Sequence, residues 1–448
     1  MKLGKLKRVY FLGIGGIGMS AIAKYLHYIG VEVFGYDRTK TKLTKSLEKQ
    51  GMEIHYQEDV ALIPSKIDLI VYTPAIPDDS IEKNYLLTLG IPFIKRAEVL
   101  GWITANKKTL AVAGTHGKTT TSAILTHLLL TGGIDCTAFL GGIAVDYQSN
   151  FVAGESEIAV VEADEYDRSF LHLTPYAAAI TSMDADHLDV YGDYEKMLQS
   201  GFGAFSKQVK RGGTLLLQSD LKLRKPKDVN KIFYGIEAGN VRAENINVKK
   251  GYFYFDYCAP NVRWENLKFT LPGLHNIENA VAAISLGRLV DLNEESIRNG
   301  LASFKGIKRR FEFIIRNKKQ VFIDDYAHHP TELKAAIGAA RMLYPGRKIL
   351  GIFQPHLFSR TRDFTEDFAS ALDLLDVIIL LPIYPAREKP INGITSKSIF
   401  DLMESKNKYL VHKEGIIPFL KSQKLDVLMT MGAGDISTEI KNIKKIFN

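Results

Sequence analysis

Residues 109–121 read Thr109-Leu-Ala-Val-Ala113-Gly-Thr-His-Gly-Lys118-Thr-Thr-Thr121. The apolar run that ends at Ala113 predicts a short buried strand. Two glycines, Gly114 and Gly117, then allow a tight turn whose backbone N–H groups face inward. Apolar residues recur at helical spacing after the turn, so a helix should follow. Because turn amides and a helix N-terminus favour an anion, the stretch predicts a phosphate cradle.

Two side chains at the end of this turn suit a nucleotide. Lys118 stands where an ammonium reaches the outer phosphates, and the hydroxyl of Thr119 can ligate Mg²⁺. The common phosphate-loop pattern has glycine five residues before Gly117, whereas this chain has Val112. A plain strand-to-helix turn with a chance lysine is therefore the alternative interpretation.

Length and composition restrict the class of protein. The chain has 448 residues, which suggests roughly three domains. Two cysteines fit a reducing compartment rather than a disulfide framework. The formal net charge is +8, but the chain has no basic tract interleaved with aromatic residues. This disfavours nucleic acid as a partner. No run of about twenty apolar residues occurs, so we expect no membrane insertion and a cytoplasmic location.

A second glycine loop opens the chain. Gly13-Ile-Gly15-Gly16-Ile-Gly18 follows a predicted strand, and Asp37 ends the next strand. Alone, this dinucleotide fingerprint would indicate an NAD-dependent dehydrogenase, with the acid on a ribose. A UDP-sugar also contains a pyrophosphate, so both ligands remain possible at this point.

The sequence as a whole resembles the Mur ligases, the ATP-dependent amino-acid ligases of peptidoglycan precursor synthesis. Ala-Gly-Thr-His-Gly-Lys-Thr-Thr at 113–120 is similar to their nucleotide loop. Further motifs follow in the family order: Glu-Ala-Asp-Glu at 162–165, Asp-Ala-Asp-His at 184–187, and Asp-Asp-Tyr-Ala-His-His-Pro at 324–330. The resemblance implies an α/β chain of three domains: a Rossmann-like UDP-sugar domain at 1–106, a central P-loop-type ATPase domain at 107–306, and a Rossmann-like C-terminal domain at 307–448.

The resemblance also assigns residues to ligands. UDP-sugar contacts are expected at Gly13, Gly15, Gly16, Gly18, Asp37, Thr73 and Arg96. ATP contacts are expected at Gly114, Thr115, His116, Gly117, Lys118, Thr119, Thr120, Asn276, Arg310 and Asp325. The expected catalytic residues are Lys118, Glu162 and His187, the expected magnesium ligands are Thr119, Glu162 and His187, and the incoming amino acid should meet His356 and Arg360.

Other acids in the same motifs receive a more modest interpretation. Asp164, Glu165, Asp184 and Asp189 are each more typical of turn residues, or of partners that support the ligands, than of ligands themselves. Several relatives carry a carbamoylated lysine about fifteen residues after the motif histidine, but residues 200–203 here are Ser-Gly-Phe-Gly. That difference favours the members that add L-alanine.

The expected reaction joins L-alanine to the lactyl carboxylate of UDP-N-acetylmuramate. ATP and Mg²⁺ would convert the carboxylate to an acyl phosphate, and ADP and phosphate would be released. The enzyme is expected to be a monomer or weak homodimer. One alternative is a recycling ligase that adds a murein tripeptide to the same sugar nucleotide. A dehydrogenase would leave Gly114–Thr121 without a purpose, and a non-enzymatic nucleotide switch would not need Glu162 or His187.

Overall fold

A computed structural model describes residues 3–184, 191–224, 226–386 and 388–447. Within these residues the strands form three sheets of five, ten and six strands, and helices connect most of the parallel strands. The predicted α/β class with three sheet-containing parts is confirmed. The described part of the chain has no helix that is both long and apolar enough to cross a membrane.

The first sheet is parallel throughout, in the order β3-β2-β1-β4-β5. Its strands are β1 Arg8–Leu12, β2 Glu32–Tyr36, β3 Glu53–His55, β4 Leu69–Tyr72 and β5 Phe93–Lys95. Its helices are Ile17–Tyr28, Lys42–Lys49, Ile81–Thr88 and Arg96–Thr104. The strand order reverses beside β1, and ligands of doubly wound sheets bind at the carboxyl ends of the strands at such a point.

The second sheet runs in the order β15-β14-β13-β12-β11-β10-β6-β9-β7-β8. Its strands are β6 Lys108–Ala113, β7 Thr137–Ala144, β8 Ser149–Val152, β9 Ile158–Glu162, β10 Ala177–Ile180, β11 Thr214–Gln218, β12 Asn230–Ile236, β13 Val241–Lys249, β14 Tyr252–Ala259 and β15 Val262–Phe269. The longer helices are Lys118–Thr131, Leu274–Arg288 and Glu294–Ser303. Val112 of β6 pairs with Glu162 of β9, and Ala113 pairs with Ile180 of β10. This register brings the carboxyl ends of three strands to one edge.

The third sheet has the order β16-β17-β21-β18-β19-β20, and only β16 is antiparallel to its neighbour. Its strands are β16 Glu312–Arg316, β17 Val321–Asp325, β18 Ile349–Phe353, β19 Val377–Leu380, β20 Lys408–Leu410 and β21 Val427–Met431. Its helices are Pro330–Leu343, Phe358–Asp363, Thr365–Leu372, Ser396–Leu402, Ile416–Lys421 and Ile440–Lys444.

The described chain divides into two compact units. The first runs to Glu244 and also contains Tyr257–Trp264 and Glu278–Ser303. The second contains Asn245–Asp256, Glu265–Ile277 and the described chain from Phe304 onward. The expected domain limits at 106 and 306 therefore stay predictions, because the first unit holds both the first sheet and most of the second.

One hydrophobic core joins the first sheet to the second inside the first unit. It includes Phe11 of β1, Ala111 of β6 and Val161 of β9, all fully buried. A buried polar contact accompanies it. The Lys24 ammonium, on the helix Ile17–Tyr28, donates to Asn150 Oδ1 at 2.8 Å and Ser149 Oγ at 3.1 Å. Asn150 Nδ2 donates in turn to Ile17 O at 2.6 Å.

Candidate active site

Two glycines shape the phosphate loop between β6 and the helix Lys118–Thr131. Gly114 has φ 133° and Gly117 has φ 83°, a region that other residues rarely adopt. Neighbouring side chains exclude larger residues as well. A Cβ at Gly114 would lie 2.1 Å from Thr181 Oγ1, and one at Gly117 would lie 2.5 Å from Asn279 Oδ1. The bend begins only at Gly114, so Val112 is accommodated as a buried residue of β6.

The end of β10 holds this loop in place. Ser182 Oγ accepts the His116 N–H at 2.7 Å and lies 2.9 Å from Thr115 Oγ1. The Asp184 N–H donates to Thr115 Oγ1 at 3.0 Å. Thr115 and His116, both predicted to contact ATP, therefore help to fix the loop itself through their polar atoms.

Lys118 is a buried cation at the mouth of the loop. Its Nζ donates to Gly114 O at 2.6 Å and lies 2.9 and 2.8 Å from the two carboxylate oxygens of Glu165. Burial opposes the charged form, but the carboxylates of Glu165, Asp164 and Glu162 outweigh it and raise the pKa of Lys118. The lysine thus stays protonated, as phosphate binding requires.

The predicted magnesium ligands Thr119 and Glu162 are in contact. Thr119 Oγ1 donates to Glu162 Oε1 at 3.0 Å, and the Gly141 N–H donates to Glu162 Oε2 at 2.8 Å. Burial raises the pKa of Glu162, and Lys118 counters this effect. The third predicted ligand, His187, lies outside the described residues.

The donor set fits a hard cation. Hydroxyl and carboxylate oxygens are ligands that Mg²⁺ accepts, together with water and phosphate oxygens. The described residues contain no cluster of three His, Cys, Asp or Glu side chains arranged to hold a metal. A cation beside Thr119 and Glu162 would therefore need oxygens from water or a nucleotide.

Asn279 is a residue of this site that sequence reasoning did not assign to it. Its Oδ1 accepts a hydrogen bond from Thr121 Oγ1 at 3.1 Å and faces Gly117. The motif pointed to Asn276 instead, whose Nδ2 donates to Pro272 O at 2.5 Å in the second unit. The three-residue spacing of the two asparagines was the available signal.

The glycine loop of the first sheet is bonded to Asp37. Asp37 Oδ2 accepts the Gly15 N–H at 2.8 Å, and Oδ1 accepts the Thr39 N–H at 2.9 Å. A Cβ at Gly15 would lie 2.7 Å from Asp37 Oδ2, and one at Gly13 would lie 2.9 Å from Thr73 Cγ2. Asp37 thus supports the glycine loop with one oxygen and its own turn with the other, which the dinucleotide pattern did not reveal.

Arg96 stands between the glycine loop and β9. A Cβ at Gly18 would lie 2.6 Å from Arg96 Nη1, so this glycine makes room for the guanidinium. Arg96 Nη2 lies 3.4 Å from Asp164 Oδ2. A cavity of about 240 Å³ has Gly16, Gly18 and Arg96 in its lining and also reaches Glu162. The loop predicted to bind the sugar nucleotide therefore opens toward the predicted metal site.

The second unit holds the other predicted nucleotide contacts. Asp325 accepts the Phe311 N–H and the Ala327 N–H, each at 2.7 Å. Burial raises the pKa of Asp325 to about 6, and Arg310 opposes this shift. Arg310 Nη1 lies 3.4 Å from Glu332 Oε1. The carboxyl end of β17 thus carries a buried acid and a cation.

The predicted amino-acid contacts lie near aromatic rings in the second unit. The His356 ring stacks on Tyr384 at 5.8 Å between centroids and lies 6.1 Å from the His328 ring. Burial lowers the pKa of His328 to about 4, and Arg360 acts in the same direction. His328 is therefore neutral near pH 7, whereas the nearby Arg360 and Arg310 are permanent cations. Sequence reasoning missed Tyr384, because no motif marks it in the loop after β19.

Comparison with known proteins identifies the class. Three family descriptions match successive parts of the chain: "Mur ligase family, catalytic domain" at 8–108, "Mur ligase middle domain" at 112–287, and "Mur ligase, glutamate ligase domain" at 309–434. The chain belongs to the Mur ligase family of ATP-dependent ligases.

Within the family, the chain is similar to individual members over nearly its full length. The UDP-N-acetylmuramate–L-alanine ligase of Flavobacterium psychrophilum is 49% identical, over 99% of this chain and 99% of its own length. The ligase of the same name from Porphyromonas gingivalis W83 is 47% identical, over 98% and 99%. The solved UDP-N-acetylmuramate–alanine ligase of Thermotoga maritima has a TM-score of 0.84 at 28% identity, covering 98% of this chain and 99% of that one.

Proposed function

We propose that this Mur ligase joins L-alanine to the lactyl carboxylate of UDP-N-acetylmuramate, with ATP and Mg²⁺, in peptidoglycan precursor synthesis. The observation that carries the proposal is the cavity that runs from the glycine loop to Glu162. A sugar nucleotide held by its pyrophosphate at that loop could extend its carboxylate toward a phosphoryl group at Thr119. The name shared by full-length relatives supports UDP-N-acetylmuramate and L-alanine as the substrates that are joined.

Lys118 and Arg96 supply the positive charge that the chain itself contributes. Lys118 would bind the transferring phosphoryl group, where an ammonium offsets charge that develops in the transition state. Arg96 lines the cavity and presents a guanidinium fork, which matches a carboxylate. Thr119 and Glu162 would hold Mg²⁺, with His187 proposed for a second ion. When bound, the metal would offset phosphate charge.

Residues of the second unit are proposed to bind L-alanine and to contact ATP. His356 and Arg360 are proposed to contact L-alanine, and the guanidinium of Arg360 suits its carboxylate. Asn276, Arg310 and Asp325 are proposed to contact ATP. Positioning of three substrates then accounts for much of the catalysis, since the chemistry needs an activated carboxylate and a nearby amine.

The alternatives gain less support. A murein peptide ligase of Psychrobacter arcticus has a TM-score of 0.72 at 21% identity, which shows a shared fold alone. A dehydrogenase would need Asp37 for a ribose, yet both of its oxygens bond backbone N–H groups. We further propose that the enzyme is a cytoplasmic monomer or weak homodimer that neither binds nucleic acid nor inserts into membranes.

A phosphate-release assay tests the proposal directly. The protein is mixed with UDP-N-acetylmuramate, ATP and Mg²⁺, and then with L-alanine, glycine, L-serine or a murein tripeptide. L-alanine should give the highest turnover, and glycine and L-serine should be worse by roughly 10–200-fold, because one methyl or hydroxyl separates them. Better use of the tripeptide would identify the recycling ligase instead.

A further inference from the structure

Glu165 is buried beside the phosphate loop, although the proposed reaction gives it no task. Its side chain is 1% exposed, and its two oxygens lie 2.9 and 2.8 Å from Lys118 Nζ. Its backbone carbonyl accepts the Tyr191 hydroxyl at 2.7 Å, which fixes the segment. Carboxylates are almost never fully buried unless they are paired, so the contact with Lys118 is a strong feature of the loop.

The charge around the loop is unusual for a phosphate site. Glu162, Asp164 and Glu165 all act electrostatically on Lys118, and Arg96 lies beside Asp164. Three carboxylates thus surround the ammonium that should receive phosphates. A nucleotide without metal brings further negative charge into this group, and like charges repel strongly where burial limits screening by water.

We infer that Glu165 is a specificity-determining residue, which makes the phosphate loop accept the magnesium complex of a nucleotide and reject the metal-free form. The inference rests on the proposed function, because it places a nucleotide in this loop. A metal-free nucleotide must take Lys118 from Glu165 and leave that carboxylate buried beside phosphates. In the magnesium complex the bound cation reduces the negative charge of the phosphates, so their repulsion by the carboxylate is weaker.

Calorimetric titration with ADP tests the inference without turnover. The wild type, Glu165→Gln and the control Asp167→Asn are each titrated in excess Mg²⁺ and again in EDTA. The control removes a nearby carboxylate that pairs with Lys95 at 2.9 Å instead. The ratio of the metal-free Kd to the magnesium Kd should fall by at least about tenfold in Glu165→Gln. It should stay within about twofold of the wild type in the control.

Other outcomes separate the inference from the proposed function. Equal weakening of both nucleotide forms in Glu165→Gln, or an unchanged ratio, would overturn the inference. No binding of magnesium ADP by the folded wild type would overturn the proposed function as well. Should Glu165→Gln melt before the titration temperature, Glu165→Asp tests the charge in a second way. Because it keeps a carboxylate, its ratio should stay within about threefold of the wild type, and a fall of about tenfold would refute the inference.

Discussion

Gly141→Ala should disable the proposed metal site without disturbing the backbone. Gly141 lies on β7, and its N–H donates to Glu162 Oε2 at 2.8 Å. A Cβ at this position would lie 2.2 Å from Glu162 Oε1 and 2.3 Å from Oε2. Because ordinary van der Waals contact begins near 3.4 Å, the carboxylate must retreat by about 1.2 Å, the difference between 3.4 and 2.2 Å.

The size of that movement sets the expected loss. Misplacement of a catalytic group by about 1 Å can cost about 10²-fold in rate. Disturbing a group that orients metal ligands typically costs about 10–100-fold in metal affinity. We therefore expect turnover to fall about 100-fold and the half-saturating Mg²⁺ concentration to rise at least about tenfold. Overpacking of this kind costs roughly 1–3 kcal/mol of stability, which should leave the protein folded.

Phosphate release measured across a Mg²⁺ titration checks this prediction, with a thermal melt to confirm folding. Gly338→Ala is the matched control, because a Cβ there meets nothing within 4 Å. That residue lies in the helix Pro330–Leu343, so alanine should stabilise the protein by about 0.5–1 kcal/mol and leave the Mg²⁺ dependence unchanged. A folded Gly141→Ala variant with wild-type turnover and Mg²⁺ dependence would refute the placement of the cation at Glu162.

Four further predictions concern the ligands and the pH dependence. Lys118→Ala should abolish ligation yet keep the affinity for UDP-N-acetylmuramate measured by calorimetry. An equal loss of ligation and of that affinity would contradict separate sites for ATP and the sugar nucleotide. NAD and NADP should give no thermal shift, whereas UDP-N-acetylmuramate should give one; a comparable shift with either dinucleotide would revive the dehydrogenase. Positional isotope exchange in ATP labelled at the β–γ bridge should occur with UDP-N-acetylmuramate and Mg²⁺ before L-alanine is added, and its absence would argue against an acyl phosphate. The pKa of Asp325 is about 6 in the folded protein against an ordinary 3.8, so the folded state binds this proton more tightly than the unfolded state. Its contribution to the free energy of unfolding is complete below about pH 4 and is lost as pH rises through 6, about 3 kcal/mol in all. Denaturant melts of Asp325→Asn should lack that decline, and a pH profile identical to that of the wild type would count against the raised pKa.

The phosphate loop could be predicted because its glycines are required by the local backbone conformation. Positive φ at Gly114 and Gly117 needs glycine whatever surrounds them, and a strand and a helix flank them in the sequence. The order of the motifs was recognised by resemblance to the family. Thr119 and Glu162 could be paired in advance only by resemblance, since the register of β6 with β9 brings them together.

Contacts between distant residues explain what the sequence did not reveal. Gly141 carries no motif, yet the hairpin of β7 places its N–H on Glu162. Asp37 fits the dinucleotide pattern, but the conformation of its turn directs both oxygens to backbone N–H groups. Glu165 was expected to be a turn residue or a partner that supports the ligands, and the packed structure shows that its partner is Lys118. Each case depends on tertiary geometry that no local spacing encodes.

The contact between Lys24 and Asn150 has a consequence for how such chains can recombine. Consider a chimera in which residues 1–106 of this chain replace the same segment of another family member. Lys24 would then pack against that protein's hairpin in place of β7 and β8. Without Asn150 Oδ1 and Ser149 Oγ, a buried ammonium would lose both of its hydrogen-bond acceptors. We expect a transplanted first sheet to be functional only when residues 149–150 are transferred together with residues 1–106. The segment that must be transferred is therefore discontinuous in sequence.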